Sequence, residues 1–85
     1  MKVIKKMKNV KISQDVLNIY SGNDLLEIRK KLGIGMIKFG ESIGASGNKV
    51  FRLEAFKDKS IRHFLTLEMI IHIQRLLDEY NEKIK

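Results

Sequence analysis

The chain has 85 residues, 44% of them apolar, with no cysteine, no proline and a net charge of +7. That describes one domain with a single modest core, too apolar for wholesale disorder, and the missing cysteines exclude disulfides, thiolate metal sites and thiol nucleophiles and fit a reducing cytosol. The positive charge favours a polyanionic partner, nucleic acid or an acidic membrane surface, with a soluble basic protein lacking such a partner as the plain alternative.

Residues 1–20 hold five lysines against one acid, residues 21–54 six bases against four acids, and residues 55–85 six against five. The first of these stretches has two competing readings. Residues 8–13 alternate polar and apolar, and ValLeuAsnIleTyr at 16–20 is rich in strand-forming side chains. Together they suggest a short strand in need of a partner. The other reading is a flexible basic arm carrying Lys2, Lys5, Lys6, Lys8 and Lys11, which adds nonspecific attraction to a polyanion.

Ser21 opens the first predicted helix as an N-cap, with Asp24 near the positive helix end. Leu25, Ile28 and Leu32 draw one apolar face, and Gly33 terminates the helix. Ile34, Ile37 and Phe39 suit a second, short helix with Gly40 on its inner side; Ile43 ends it and Gly44 breaks it. Ala45 follows as a small buried residue, and Ser46 caps a third helix that carries Val50 and Leu53 inward. Two helices with so short a connector cross steeply, and the second can protrude into a groove. At a net charge of +7 the groove that fits best is the major groove of DNA.

Residues 55–60 read as a connecting loop anchored by Phe56, with Ser60 placed to cap the last helix. From residue 61 to 84 the pattern is long and helical. Ile70, Ile73, Leu77, Tyr80 and Ile84 recur at spacings of three and four, as in a coiled-coil seam, while Phe64, Leu65, Leu67, Ile71 and Leu76 widen the apolar surface. A helix apolar on two sides has two partners, its own domain and a second copy, so the five seam residues are assigned to a homodimer interface. The same stretch contains Glu68, His72, Gln74 and Arg75, which a bilayer tolerates poorly, and no apolar run follows the basic start. The expectation is a soluble cytoplasmic protein without a membrane partner.

Little in the chain points to catalysis. His63, Glu68 and His72 are the only group with metal or acid–base character. Glu68 and His72 are one turn apart, but His63 is out of phase with them and no further strong ligand is near. The glycines at 33, 35, 40, 44 and 47 do not form a phosphate-binding loop, and the serines show no base-plus-acid arrangement. The reading is therefore not an enzyme, with no metal and no cofactor.

LeuLeuGluIleArgLysLysLeuGlyIle, then PheGlyGluSerIleGlyAlaSer, then ValPheArgLeuGlu, in this order and spacing, resemble the Cro/C1-type (XRE) helix-turn-helix DNA-binding domains over roughly residues 22–75. The resemblance implies an all-α, compact four- or five-helix, lambda-repressor-like bundle over residues 21–85, with residues 1–20 as an added arm or strand. It implies that the third helix is the recognition helix, and that Arg29 and Glu54 form the ion pair tying it to the scaffold, with Arg29 also offering a donor to a phosphate. The sequence departs from the family at the start of the second helix. Ser or Thr followed by Gln is usual there; Gly35 is a tolerable cap, and Met36 fills the backbone-contact position with a side chain that cannot donate a hydrogen bond. The glycine that often follows just beyond the closing glutamate is Phe56 here.

The outward positions of the third helix are Gly47, Asn48, Lys49, Phe51 and Arg52. Asn48 can pair bidentately with adenine and Arg52 with guanine; Lys49 can reach guanine or phosphate, and Gly47 allows close approach of the backbone. By family analogy Lys57, Lys59 and Arg62 lie against the DNA backbone. One domain offers a small footprint, so two copies reading two half-sites are expected. The functional expectation is a dimeric, sequence-specific regulator of double-stranded DNA, a repressor of bacterial or phage type. The alternatives are an antitoxin of the same fold covering a toxin partner, and a helical protein-interaction module without DNA binding.

Overall fold

The computed structural model of the protein describes residues 11–83. Its elements are α1 (Gln14–Leu17), α2 (Gly22–Leu32), α3 (Met36–Ser42), α4 (Gly47–Ala55), a 3-10 turn (Arg62–Phe64) and α5 (Leu67–Lys83). This is an all-α bundle. Among the described residues the only extended pairing is a single bridge between Ser21 and Ser60. Leu25, Phe39, Ile43, Val50, Ile61 and Ile73 are fully buried at its centre, one or two from each of α2, α3, α4, the 3-10 entry and α5. Each such side chain contributes about 1.5–3 kcal/mol by leaving water. No helix among the described residues is long and apolar enough to cross a membrane.

α2 begins as its first residues dictate. The Ser21 hydroxyl accepts from the Asp24 N–H at 3.3 Å, and the Asp24 carboxylate accepts from the Ser21 N–H at 3.0 Å and the Tyr20 N–H at 2.9 Å. Three backbone N–H groups that have no partner within the helix are thereby met. Those bonds, that from Ser21 first and that from Tyr20 second, hold the Asp24 carboxyl below its ordinary range. A depressed carboxyl stabilises the fold fully above the unfolded aspartate pKa of about 3.9, and the contribution disappears as pH falls through the lower folded value. Asp24→Asn is expected to cost about 0.5–1 kcal/mol at neutral pH, with the deficit against wild type closing in the acid range. Urea titrations at the two pH values measure it.

The helix ends at Gly33, whose φ of 70° suits a residue without a side chain and whose N–H returns to the Arg29 carbonyl at 3.0 Å.

The described part of the first twenty residues, 11–20, contains no strand. The 8–13 segment lies partly outside the described residues, as do Lys2, Lys5, Lys6 and Lys8; its described end, 11–13, has no regular structure. Within 16–20, Val16 and Leu17 belong to α1, and Val16 and Ile19 are buried at 2% and 3% exposure. A strand needs a ladder, whereas one helical turn satisfies the N–H groups of Val16, Leu17 and Asn18 from the Ser13 and Gln14 carbonyls. The turn also puts Val16 and Ile19, three apart, on one face. The buried Gln74 side chain of α5 then accepts from the Ser13 N–H at 2.7 Å and donates to Asp78 at 2.9 Å. The bundle thus extends back past Ser21, and Ile12 packs against its core.

The last helix is shorter than its pattern. Ser60 accepts from the Arg62 N–H at 3.4 Å, which begins the 3-10 turn rather than α5. Ile61 is fully buried with its backbone outside the helical region, and its N–H donates to the Tyr20 carbonyl at 2.8 Å. The chain leaves the turn extended at Leu65, and Thr66 caps α5 by accepting from the Met69 N–H at 3.1 Å.

The assigned seam on α5 also divides. Ile73 and Leu77 are 0% and 4% exposed in the core of their own domain and are not free to pair with a second copy. Ile70 and Tyr80 are half-buried beside them, and Ile84 lies outside the described residues. The cause is general: a stripe at spacings of three and four marks an amphipathic helix, and the nearest apolar surface to cover it is intramolecular.

Candidate nucleic-acid interface

α3 and α4 meet through a four-residue connection whose parts are each set by local chemistry. Gly44 has a φ of 76°, the left-handed region that glycine enters without strain. The Ala45 N–H returns to the Gly40 carbonyl at 2.8 Å, and the Ser46 hydroxyl accepts from the Lys49 N–H at 3.2 Å to start α4. Gly40 is the point of closest approach. A Cβ there would lie 2.5 Å from the Ser46 carbonyl carbon and 2.8 Å from the Gly47 nitrogen. Only a glycine lets the two helices come this near.

Arg29 of α2 and Glu54 of α4 form a bidentate pair. Nε donates to Oε2 at 2.6 Å and Nη2 to Oε1 at 3.0 Å, while Nη1 donates to the Ile34 carbonyl at 3.0 Å. The side chains are 16% and 7% exposed. The hydrogen bonds to Glu54, and its charge, hold the Arg29 guanidinium still more firmly protonated. One fork thus fixes α2, the α2–α3 connection and the end of α4 relative to one another. Three of the five N–H groups of Arg29 are spent on this, which leaves two for a phosphate.

With Val50, Leu53 and Glu54 turned inward, α4 presents Asn48, Phe51 and Arg52 to solvent, with Gly47 and Lys49 half-exposed on either flank. Lys57, Lys59 and Arg62 are exposed on the segment that follows. Between residues 47 and 62 five bases therefore stand against Asp58 and the already paired Glu54. Met36 differs from its assigned place. Its side chain is half-buried and packs against the core. Ile37, one of the residues that suggested this helix, lies within it and is 71% exposed.

Three further features lie beside the residues predicted from sequence. Lys38 adds an exposed cation on α3, beside exposed Glu41. Phe56 packs edge-on against Phe64, centroids 5.4 Å apart at 82°, and the His63 ring is tilted at 41° to that of Phe64 with centroids 4.1 Å apart. The Phe pair floors a groove beside Lys49 and Arg52. The third is the residue at the C-terminal end of α4. Phe56 is an ordinary helical C-cap, and Lys57 takes the left-handed conformation at φ 53°, with its N–H on the Glu54 carbonyl at 3.1 Å. The position that asks for glycine is thus Lys57. Of these, only Phe56 as a loop anchor had a sequence signal.

His72 is half-buried on α5, and Glu68 reaches back toward Gly44. Among the described residues no three His, Cys, Asp or Glu side chains gather as a metal ion would require.

No family model matches the chain, and neither a curated protein nor a solved structure is significantly similar to it.

Proposed function

We propose that the protein is a sequence-specific binder of double-stranded DNA that acts as a transcriptional regulator, with α4 as the helix that enters the major groove. The observation that carries this reading is the exposed pair Asn48 and Arg52. They stand one turn apart on a helix whose inner side is pinned by Arg29 and Glu54, inside a segment with five bases. Amide and guanidinium are the two side-chain groups best matched to adenine and guanine edges in that groove. The cations Lys38, Lys57, Lys59 and Arg62 border the same helix pair or follow it, where phosphate contacts would set position and affinity. A second copy reading a second half-site belongs to this proposal, with Ile70 and Tyr80 as the remaining candidates of the seam for pairing. Occupying an operator would exclude polymerase and repress.

Salt titration of binding to duplex DNA tests it. Four phosphate contacts per copy give a slope of log affinity against log salt of about −3.6. Arg52→Ala is expected to cost about 1–3 kcal/mol on a selected site while leaving the fold intact, since the side chain is exposed. Lys57→Ala is expected to weaken all sequences alike and reduce the slope by about 1. Absence of duplex binding at low salt would instead favour a helical protein-interaction module. An antitoxin would show both DNA binding and a stable complex with a toxin.

A further inference from the structure

The outer side of α3 and α4 carries two parallel ridges of different chemistry. One is polar and consists of Asn48 and Arg52. The other is apolar. Phe51 keeps 60% of its surface exposed and Ile37 keeps 71%, the most of any large hydrophobic residue among those described. The two are linked through Gly47, which lies one turn before Phe51 and has no side chain. A Cβ on Gly47 would stand 3.0 Å from Cγ1 of Ile37. A side chain at the first position of α4 would therefore press on Ile37 of α3. The apolar ridge runs Ile37, Gly47, Phe51 alongside the polar one.

Neither Ile37 nor Phe51 belongs to the core cluster, and apolar surface left in water contributes nothing to stability. The ridge is flanked by Lys38 on α3 and by Lys49 and Arg52 on α4, against one exposed carboxylate, Glu41, a turn after Ile37, so an occupant is favoured that is anionic on the α4 side. It must also be apolar at a point on its floor. The major groove meets both conditions at one base. Thymine carries a C5-methyl group there, whereas cytosine carries a hydrogen and the purine edges are polar. Resting on the reading of α4 as a major-groove helix, we infer that Phe51, with Ile37 beside it, reads the C5-methyl of thymine. Each half-site then holds a thymine next to a base pair read by Asn48 or Arg52. The recognised group is a methyl on pyrimidine C5, so 5-methylcytosine presents it equally.

The test uses the full chain and the duplexes that it enriches from a random pool. Each thymine is replaced singly by deoxyuridine, which keeps the pairing and every polar edge and lacks the methyl. Burial of one methyl corresponds to about a four-fold change in affinity. One or two positions in each half-site are expected to weaken by about that factor. Phe51→Ala is expected to bind the thymine and deoxyuridine duplexes equally, and Phe51→Leu to keep the difference, both with wild-type urea midpoints because the side chain is exposed. Equal affinity at every thymine position, with salt-dependent binding to the parent duplex intact, overturns the inference and leaves the major-groove reading standing. An enriched set without a shared thymine does the same. So does a Phe51→Ala variant that loses a protein partner yet still discriminates the methyl. Failure to bind any duplex at low salt removes the underlying reading as well.

Discussion

Glu54→Ala is expected to lower the stability of the protein by about 3 kcal/mol, read as a fall in the urea midpoint at unchanged slope. The substitution removes a carboxylate that is 7% exposed and leaves the Arg29 guanidinium, 16% exposed, with only the Ile34 carbonyl. An uncompensated charge at that depth is the costly product, more than the lost attraction. The figure is the lower end of the range for buried pairs because Arg29 keeps some contact with water. Stability of a chain this size is of order 4–13 kcal/mol, so the loss is a large share of the whole. Removing both partners together as Arg29→Met with Glu54→Met is expected to restore much of it, since neither charge is then stranded. A single Glu54→Ala variant as stable as wild type would mean the fork is ornamental. On the proposed reading of α4 as a DNA-binding helix, affinity for duplex DNA is expected to fall with Glu54→Ala even in buffers where it remains folded, because the end of α4 loses its tie to α2.

Gly40→Ala is expected to be nearly as damaging, at about 2–3 kcal/mol. The added methyl would meet the Ser46 carbonyl carbon at 2.5 Å, the Ser46 oxygen at 2.6 Å and the Gly47 nitrogen at 2.8 Å. All three are main-chain atoms, so no side chain can swing aside. Relief requires α4 to move off α3 as a body, which stretches the Ala45-to-Gly40 hydrogen bond and the Glu54 fork together. Gly35, where a Cβ would meet nothing within 4 Å, is the matched control. Gly35→Ser is expected to be neutral or to gain a few tenths of a kcal/mol as an N-cap. Thermal or urea melts of the two variants side by side decide the matter, and a silent Gly40→Ala overturns the account of the helix crossing.

What could be read from residues alone was what local chemistry decides. The Ser21 and Asp24 capping box, the Gly33 stop, the Gly44 break and the Ser46 cap are each settled within four residues, so spacing reveals them. The inward set Phe39, Ile43, Val50 and Leu53 follows from the same boundaries. What spacing could not reveal depends on distant partners. Val16 and Ile19 have strand-forming side chains but meet the bundle instead of a neighbouring strand, and β-propensity reflects its surroundings. Ile61 is buried with its N–H bonded to Tyr20, far back in the chain, a pairing that spacing within residues 61–84 does not show. The Ile73 and Leu77 stripe says that α5 has a covered side without saying whose surface covers it. On the interface, Asn48 and Arg52 were legible as outward residues once the α4 boundaries were set. The close approach of Ile37 to Gly47 was not, because it joins two helices at one point.

Lys57 is a lysine where a glycine would be easier. Its left-handed backbone costs about 1–2 kcal/mol, and its carbonyl is gripped by the Asn23 N–H at 2.8 Å. Two residues on, the Lys59 N–H is bonded to the Phe56 carbonyl, and Ile61 is fastened to Tyr20. The segment bearing Lys57 and Lys59 is thus restrained before anything binds to it. Backbone freedom that a slack loop would surrender on meeting a polyanion, of order 1–2 kcal/mol per residue, has already been given up during folding. On the proposed reading, association with DNA draws on preorganised charge, and its entropic penalty falls mainly on the side-chain tips.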